Sequence, residues 1–282
     1  MPPSHPHFPL GLSELAPSYD ALICDVWGVL HNGAVVFPAA CAALTRFREQ
    51  RGPVILLSNA PRPAGDLLAQ FAQLGVPPGC YDAIVTSGEA VRQELAARSA
   101  TKRLGMFHLG PARDANIYLG LDVHCVDAAQ AEIVLCSGLF DDETETPGDY
   151  TARLAEMKAL DLTMLCANPD LQVQRGGKLV WCAGALAAAY EAIGGAVVYF
   201  GKPHRPIYDL ALARTGGARR PLCIGDGLHT DIKGANGAGL DALFIADGVH
   251  GEHIEPFTPA HMAELFAAAG VSAHAAMRAL VW

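Results

Sequence analysis

Three kinds of sequence feature are scarce or missing in this chain of 282 residues. No apolar run reaches the roughly 18 residues that a membrane span needs, so we expect no membrane partner. Basic residues are scarce: 20 Lys and Arg stand against 29 Asp and Glu, and this net charge of −9 argues against nucleic-acid binding. The first six residues lack the basic start and apolar stretch of a secretory signal, so we expect none.

The chain also lacks a Cys-x-x-Cys motif, although it contains eight cysteines. Several of them lie within apolar runs, such as Cys136 after Leu135 and Cys223 after Leu222. In such runs a cysteine behaves as a small buried hydrophobic residue, and not as part of a disulfide framework or a zinc site. We therefore expect reduced thiols and a cytoplasmic location.

The residues that are present make a strongly apolar chain, with 51% hydrophobic and 17% charged residues. This composition predicts a globular protein, and the length allows one large or two modest domains. Short β-rich runs alternate with Ala- and Leu-rich helical segments. The predicted strands are Ala21–Cys24, Val54–Leu57, Ala83–Val85, Ala196–Phe200, Leu222–Ile224 and Ala242–Ile245. The predicted helices include Ala39–Glu49, Ala64–Leu74, Ile207–Ala213 and Asp231–Ala238.

This alternation predicts an α/β fold, a doubly wound parallel sheet covered by helices on both faces in three layers. In such sheets, ligands bind beyond the carboxyl ends of the strands. Four predicted strands are followed there by polar residues. They are Asp25, Ser58 with Asn59, Lys202, and Asp226 with Asp231. A single Asp or Ser at a strand end is usually a turn or capping residue, but the whole set favours one site.

This set of residues suits phosphoryl transfer. A carboxylate such as Asp25 can act as a covalent nucleophile. Its attack on a phosphate meets repulsion of about 4 kcal/mol per pair of unit charges 4 Å apart, so cations must offset it. Asp25 and Asp226 suit Mg²⁺, which prefers one or two carboxylates plus phosphate oxygens. Lys202 would add a second positive charge, and the Ser58 hydroxyl a hydrogen bond to the transferring group.

The same residues form an ordered series of short motifs. They are Asp25-x-Trp27-Gly28-Val29-Leu30, Ser58-Asn59, Gly201-Lys202-Pro203 and Gly225-Asp226 followed by Asp231. The series resembles the four motifs of the haloacid dehalogenase (HAD) superfamily, over about residues 18–250. Thr86–Ala90, Asn168–Asp170 and Tyr199–His204 resemble its subclass IIA, the NagD-like and nitrophenylphosphatase-like group. The resemblance implies a Rossmann-like HAD core with an inserted, smaller α/β cap domain of the C2 type.

The resemblance also implies a role for each matching residue. Asp25 is the nucleophile, Ser58 binds the phosphoryl group and Lys202 neutralises charge. The implied metal ligands are Asp25, the backbone carbonyl of Trp27, Asp226 and Asp231, the last acting through water. The implied phosphate-binding residues are Trp27, Gly28, Ser58, Asn59 and Lys202. Asn168 and Asp170 belong to a cap loop that faces the active site in the family, and Arg175 is a further candidate for contact with an anionic substrate.

Motif spacing places the inserted domain. Asp25 and Ser58 are 33 positions apart, whereas Ser58 and Lys202 are 144 apart, far more than one crossover needs. We therefore predict a cap at 89–181 and a core formed by 1–88 plus 182–282. The strand-like runs within the cap are Leu104–His108, Ile133–Cys136 and Leu162–Cys166. Residues 29–36 read as a hairpin next to the nucleophile, with Asn32-Gly33 as its turn.

One residue departs from the family pattern. Phosphatases of this superfamily usually carry a second Asp two residues after the nucleophile, as general acid and base, but this chain has Trp27. An indole cannot exchange that proton, and such help is worth about 10²–10⁴-fold. Three explanations stay open: a histidine (His31, His204 or His229) replaces the acid, the substrate has a good leaving group, or turnover is lost and the protein binds or senses a phosphorylated metabolite.

From these observations we expect a Mg²⁺-dependent phosphatase that acts on a small phosphorylated metabolite, namely a sugar, nucleotide, aryl or acyl phosphate. The alternative of another class is a non-catalytic binding protein on the same scaffold. A dehalogenase is a minor alternative, because it would leave Asp226 and Asp231 without a role. The sequence does not fix the oligomeric state, and a homodimer is compatible with it.

Overall fold

A computed structural model describes residues 6–175, 178–248 and 254–282. It divides into two compact units. Unit 1 comprises Met1–Ser58, Leu68–Val85 and Lys202–Trp282, and unit 2 comprises Asn59–Leu67 and Thr86–Gly201. Within the described ranges, none of the helices has the length and apolar character that crossing a lipid bilayer requires.

A six-stranded sheet forms the centre of unit 1, in the order β13-β12-β11-β1-β2-β3. Its strands are β1 (Ala21–Asp25), β2 (Val54–Ser58), β3 (Ala83–Thr86), β11 (Pro221–Gly225), β12 (Asp241–Ile245) and β13 (Ala275–Met277). β1 pairs in parallel with both β2 and β11, and every residue of β1 is buried. A continuous apolar run is typical of such a central parallel strand, because helices cover both faces of the sheet.

The remaining strands belong to unit 2. A five-stranded sheet has the order β10-β7-β6-β4-β5, and its pairs are parallel. Its strands are β4 (Leu104–Leu109), β5 (Val123–Cys125), β6 (Ile133–Cys136), β7 (Thr163–Cys166) and β10 (Val197–Tyr199). Two further strands, β8 (Gln172–Arg175) and β9 (Lys178–Trp181), form an antiparallel pair. The unit has its own apolar core, in which the Tyr190 hydroxyl donates to the carbonyl of Leu162 at 2.7 Å.

Nine α-helices lie in the described part of the chain. They are α1 (Leu12–Leu15), α2 (Pro38–Gln50), α3 (Ala64–Leu74), α4 (Ser87–Arg98), α5 (Thr151–Ala159), α6 (Ala183–Ala192), α7 (Arg205–Arg214), α8 (Lys233–Ala238) and α9 (Pro259–Ala269). Their first residues follow known start signals: α2 begins at a proline, and the Thr86 hydroxyl caps α4 by accepting from the Glu89 N–H at 2.9 Å. A π-helical turn, Leu228–Ile232, leads directly into α8.

The boundaries between the two units differ from those that we predicted. We placed Ala196–Phe200 in the core sheet and let the core resume at residue 182. Instead, β10 pairs with β7, with Val197 opposite Met164, and unit 2 continues through Gly201. Residues 59–67 also belong to unit 2. The apolar pattern identifies a buried strand correctly but carries no information about the sheet that it joins.

The predicted hairpin at residues 29–36 is reduced to a tight turn. His31 and Val36 form a single antiparallel bridge, and the Asn32 N–H donates to the Val35 carbonyl at 3.1 Å. The Asn32 side-chain oxygen accepts from the N–H groups of Ala34 and Val35. This Asx-type turn adds side-chain hydrogen bonds to those of the backbone. Gly33 has a φ of 86°, which the turn accommodates because glycine lacks a Cβ.

Candidate active site

Three carboxylates converge at one edge of the sheet in unit 1. Asp25 ends β1 and Asp226 directly follows β11, and these strands are neighbours with Cys24 opposite Ile224. Asp231 lies in the π-helical turn that follows. One oxygen from each carboxylate lies within 4.8 Å of the others, and all three residues are buried. The three predicted carboxylate ligands are thus brought together.

The location agrees with the topology of the sheet. From β1 the chain continues through β2 and β3 on one side, and the later strands β11, β12 and β13 lie on the other side. The order of the strands therefore reverses between β1 and β11. Loops leave such a point in opposite directions and open a crevice at the carboxyl ends of the strands, where ligands bind in open α/β sheets.

Lys202 brings an ammonium group into contact with two of these carboxylates. Its Nζ donates to Asp25 Oδ1, and to Asp231 Oδ1 at 2.8 Å. The lysine is only 4% exposed. Burial opposes its charge, but the negative charges of Asp231 and Asp25 outweigh burial and raise the pKa of Lys202. The lysine is therefore held in its charged form between two acidic groups.

Negative charge is concentrated at this site. Three carboxylates lie together in the described part of the chain, and the Lys202 ammonium group pairs with two of them. Burial raises the pKa of Asp25, repulsion from Asp231 and Asp226 adds to this, and Lys202 counteracts it. A divalent cation would add positive charge next to these carboxylates. The all-oxygen donor set is of the kind that a hard cation such as Mg²⁺ prefers, so the residues present fit this ion.

The backbone closely encloses two of the carboxylates. A Cβ added at Gly28 or at Gly248 would lie 2.1 Å from Asp226 Oδ2. Asp231 Oδ2 accepts from the Gly227 N–H at 3.1 Å and from the Thr230 hydroxyl at 3.2 Å. Our sequence analysis missed Gly248 and Thr230. Gly248 follows β12, so extending the search to the end of that strand would have found it.

Gly28 was predicted to bind phosphate, but its backbone N–H has a hydrogen-bond partner within the chain. Its N–H donates to the carbonyl of His31 at 2.8 Å. Its φ of 90° and the close approach of Asp226 explain why glycine is needed there. Ser58 ends β2 one residue beyond Leu57, which is the register partner of Asp25. The Ser58 hydroxyl therefore lies at the end of β2, the strand next to the one that carries the proposed nucleophile.

Trp27 packs against the turn at residues 31–34. Its ring meets His31 edge-on, with centroids 5.4 Å apart, and a Cβ added at Gly33 would lie 2.2 Å from its Cη2 atom. The indole is partly exposed. His31 is 1% exposed and also meets Phe71 edge-on, with ring centroids 5.9 Å apart. The aromatic residue at this position is thus part of a packed cluster.

His31 does not have the surroundings of a replacement acid. Its Nδ1 accepts from the Gly33 N–H at 3.0 Å, which leaves the proton on Nε2. That Nε2 atom is buried, with no hydrogen-bond partner among the described residues. Burial also lowers the pKa of His31, which keeps the ring neutral. Of the other two candidates, His204 is the N-cap residue of α7 and His229 is an exposed residue of the π-helical turn.

Three other predicted ligand-binding residues, Asn59, Asn168 and Asp170, cluster in unit 2. Asn59 Nδ2 donates to Asp170 Oδ1 at 2.8 Å, and the Asp170 N–H donates to Asn168 Oδ1 at 3.0 Å. Asn59 and Asn168 are buried. The structure therefore brings Asn59, the residue directly after β2, into contact with the predicted cap loop.

Arg175 is engaged elsewhere in unit 2. It lies at the end of β8 and pairs with Asp142 at 2.9 Å and with Glu143 at 3.1 Å. Asp142 also pairs with Arg113. An anionic substrate would have to compete with two carboxylates for this guanidinium group. The position therefore gives Arg175 a local partner that the sequence did not indicate.

Comparisons with known proteins agree with this geometry. Residues 22–122 match the family model described as haloacid dehalogenase-like hydrolase, and residues 199–269 match a HAD-hydrolase-like model. The crystal structure of a haloacid dehalogenase-like hydrolase from Brucella suis 1330 is 44% identical, with a TM-score of 0.83, and covers 97% of this chain and 100% of its own. The chain belongs to the haloacid dehalogenase-like hydrolase family.

Two further relatives place the chain within that family. The ribonucleotide monophosphatase NagD of Escherichia coli K12 is 27% identical over 81% of this chain and 88% of its own length. A D-glycerol 3-phosphate phosphatase of Mycobacterium tuberculosis is 28% identical over 85% of this chain, which spans 66% of that relative. A glycerol phosphate phosphatase structure from M. tuberculosis, in complex with magnesium, has 26% identity and a TM-score of 0.66, covering 83% of this chain and 70% of its own. Within the family, the chain is NagD-like, of subclass IIA.

Proposed function

We propose that this protein is a Mg²⁺-dependent phosphatase that hydrolyses a small phosphorylated metabolite through an aspartyl-phosphate on Asp25. The observation that carries the proposal is the cluster of Asp25, Asp226 and Asp231 around the Lys202 ammonium group. NagD and the M. tuberculosis relatives named above are phosphatases, and one of these structures was solved with magnesium. Asp25, Asp226, Asp231 and the carbonyl of Trp27 would hold the ion, which when bound offsets negative charge at the site.

In the first step, an Asp25 carboxylate oxygen attacks phosphorus and the bond from phosphorus to the leaving oxygen breaks. Lys202 supplies a fixed positive charge beside the nucleophile, and the Ser58 hydroxyl would donate to a phosphoryl oxygen. Like charges at 4 Å repel by about 4 kcal/mol at an effective dielectric constant near 20, so this compensation is required. The products of the step are the aspartyl-phosphate and the leaving group as its oxyanion, which takes up a proton from solvent.

In the second step, water attacks the phosphorus of the aspartyl-phosphate and the bond to Asp25 breaks, which regenerates the carboxylate and releases inorganic phosphate. The net reaction consumes one water and gives the alcohol or acid plus phosphate. Trp27 stands where a carboxylic acid would exchange protons with the leaving oxygen and the water. His31, its nearest titratable neighbour by ring contact, is neutral and buried.

The leaving group should therefore be one that departs without a proton. Aryl and acyl phosphates meet this requirement, because their leaving oxygens are far weaker bases than an alkoxide. Loss of general acid catalysis lowers the rate by about 10²–10⁴-fold, and we expect this loss of rate to be largest for alkyl phosphates. The same observation on Trp27 and His31 favours a second candidate function, a protein that binds or senses a phosphorylated metabolite without turning it over.

We also propose roles for the two units. Unit 1 would be the catalytic core, and unit 2 the cap that selects the substrate, with Asn168 and Asp170 as its contacts. Arg175 is a weaker candidate because of its pairing with Asp142 and Glu143. A cytoplasmic location stays a prediction.

The test is a phosphatase assay on the purified protein with 4-nitrophenyl phosphate and acetyl phosphate, with Mg²⁺ and with a chelator. We expect Mg²⁺-dependent phosphate release that Asp25→Asn abolishes. Asp209→Asn, at an exposed position in α7, is the matched control and should keep its activity. Tight binding of phosphorylated compounds without turnover would support the sensor instead. Chloride release from a 2-haloacid in chelator would support a dehalogenase.

A further inference from the structure

A buried tyrosine of unit 1 reaches the turn that carries Asp231. Tyr208 lies in α7 and is 1% exposed. Its hydroxyl donates to the backbone carbonyl of Asp231 at 3.1 Å, and the carbonyl of Thr230 lies 3.4 Å away. A tyrosine hydroxyl has one proton to donate and keeps it near pH 7, so these two carbonyls share a single donor. Tyr208 thus contacts the backbone of the turn.

The geometry of the turn explains why a donor is needed there. Leu228–Ile232 form a π-helical turn, in which the Ile232 N–H donates five residues back, to the Gly227 carbonyl, at 3.0 Å. The chain then continues as α8, where hydrogen bonds span four residues. Buried carbonyl groups at a junction between two hydrogen-bonding patterns need donors from elsewhere. Tyr208 supplies such a donor from a neighbouring helix.

A glycine makes room for this hydroxyl. Gly234 lies in the first turn of α8 and is buried, and a Cβ added to it would lie 2.3 Å from the Tyr208 oxygen. A side chain at this position would push the hydroxyl away from the turn or separate α7 from α8, which pack against each other. The chain therefore provides both the donor and the space that the donor occupies.

The position of the turn determines where the Asp231 carboxylate lies. A Cβ added at Gly225, the last residue of β11, would lie 2.2 Å from the Asp231 Cβ. Asp231 Oδ1 accepts from Lys202, and Oδ2 accepts from the Gly227 N–H within the turn. Because the side chain is packed this closely, a change of rotamer cannot compensate for a shift of its own backbone. A hydrogen bond to the Asp231 carbonyl therefore also fixes the carboxylate.

We infer that Tyr208 is a positioning residue for the cation site, because its hydroxyl holds the backbone of Asp231. The inference rests on the proposed function, in which Asp25, Asp226 and Asp231 hold Mg²⁺. Removal of a group that orients a metal ligand typically weakens metal binding by about 10–100-fold. Since Asp231 is one of several ligands, we expect an effect at the lower end of this range.

The test is isothermal titration calorimetry of Mg²⁺ with the full-length chain and with Tyr208→Phe, which removes the hydroxyl and keeps the ring. We expect the Kd to be about tenfold higher in the variant. Tyr190→Phe is the matched control, because it removes another buried hydroxyl that donates to a backbone carbonyl, that of Leu162 in unit 2. In chelator both variants should lower Tm to a similar extent, but Tyr190→Phe should leave the Kd for Mg²⁺ unchanged.

A second variant keeps the hydroxyl but displaces it. In Gly234→Ala the added methyl group would overlap the Tyr208 oxygen, so Mg²⁺ binding should weaken here too. The inference is overturned if Tyr208→Phe binds Mg²⁺ with the Kd of the unmodified chain, or if Tyr190→Phe weakens binding equally. If Tyr208→Phe does not fold, an unchanged Kd in Gly234→Ala overturns the inference instead.

The outcomes also separate this inference from the proposed function. If the unmodified chain does not bind Mg²⁺, both fail. If Tyr208→Phe weakens Mg²⁺ binding but the unmodified chain releases no phosphate from 4-nitrophenyl phosphate or acetyl phosphate, the phosphatase activity fails and Tyr208 keeps its role. Phosphate release together with an unchanged Kd in Tyr208→Phe would overturn this inference alone.

Discussion

The two parallel sheets of this protein both contain a point where the strand order reverses, but the side chains found at the two points differ. In unit 1 the reversal lies between β1 and β11, and three carboxylates and a lysine gather beyond it. In unit 2 the order β5-β4-β6-β7-β10 reverses between β4 and β6. The side chains there form a hydrogen-bonded chain that contains a single carboxylate, that of Asp114.

That chain in unit 2 is partly buried and links four residues. Tyr118 OH lies 3.4 Å from His108 Nδ1, and His108 Nε2 lies 2.9 Å from Ser137 Oγ. Ser137 in turn donates to Asp114, which is 2% exposed. Burial lowers the pKa of His108 to about 4, so the ring is neutral near pH 7. The comparison teaches that topology supplies a crevice in each sheet, whereas the residues placed at it decide what it can do.

The largest expected difference between the two crevices is in catalysis. Asp25→Asn should lower kcat for 4-nitrophenyl phosphate by about 10⁴-fold or more, on the order seen when a covalent nucleophile is removed. Ser137→Ala, at the corresponding point of unit 2, should leave kcat within about threefold, because Ser137 bonds only within unit 2 in the contacts shown. Equal losses in both variants would contradict the comparison.

The second difference concerns stability. Lys202→Met removes the ammonium group that contacts Asp25 and Asp231, so the metal-free protein should lose about 3–5 kcal/mol in its free energy of unfolding. Mg²⁺ should restore part of this loss. Ser137→Ala should cost about 1–3 kcal/mol, because it leaves one buried hydrogen-bond partner unsatisfied. Urea denaturation with and without Mg²⁺ measures both values, and a loss in Lys202→Met below that in Ser137→Ala would refute the prediction.

The two regions should also respond to pH in opposite directions. The pKa of Asp25 is raised in the folded state, so the metal-free native state binds the extra proton and stability falls as pH rises above about 4. The pKa of His108 is lowered to about 4 from 6.5, so the unfolded state binds the extra proton and stability falls as pH drops from 6.5 toward 4. Its contribution is at most about 3 kcal/mol.

Two variants resolve these opposed contributions. Asp25→Asn should reduce the decrease in unfolding free energy that occurs as pH rises. His108→Gln should reduce the decrease that occurs as pH falls. Unfolding curves recorded in chelator at several pH values measure both. If both variants changed the same side of the profile, the assignment of the two slopes would fail.

The smallest expected effect is at Trp27. Trp27→Asp should raise turnover of an alkyl phosphate such as glycerol phosphate by about tenfold, because it supplies a proton donor where the family has one. Turnover of acetyl phosphate should change less, since its leaving group needs no proton. Trp27→Phe is the control, and it should leave the ratio of the two rates unaltered. A folded, Mg²⁺-binding Trp27→Asp protein with an unchanged rate ratio would count against this account of Trp27.

Much of the first sheet was predictable from sequence, because its central strands are continuous apolar runs that end in polar residues. Asp25, Asp226 and Asp231 were predicted as one site, and the structure places them within reach of one another. The pairing of β10 was not predictable, because Val197–Tyr199 is an equally suitable strand for either sheet. A strand of three residues has too few side chains to specify its neighbour.

Other parts of the site depend on contacts that motif spacing does not encode. Asn59 follows Ser58 directly, yet its amide contacts Asp170, 111 positions later in the chain. Arg175 was a candidate for an anionic substrate, but its pairing with Asp142 depends on how a loop folds back. The neutral state of His31 likewise follows from its burial, which one sequence cannot report.

The close packing around the Asp226 side chain has a thermodynamic consequence. Gly28 and Gly248 come from different loops, and both approach the same carboxylate so closely that a methyl group on either would overlap it. The rotameric freedom of this side chain is therefore lost when the chain folds, before any ion arrives. A cation that enters meets a preorganised ligand. Its binding free energy is therefore reduced only slightly by the entropic cost of ordering Asp226.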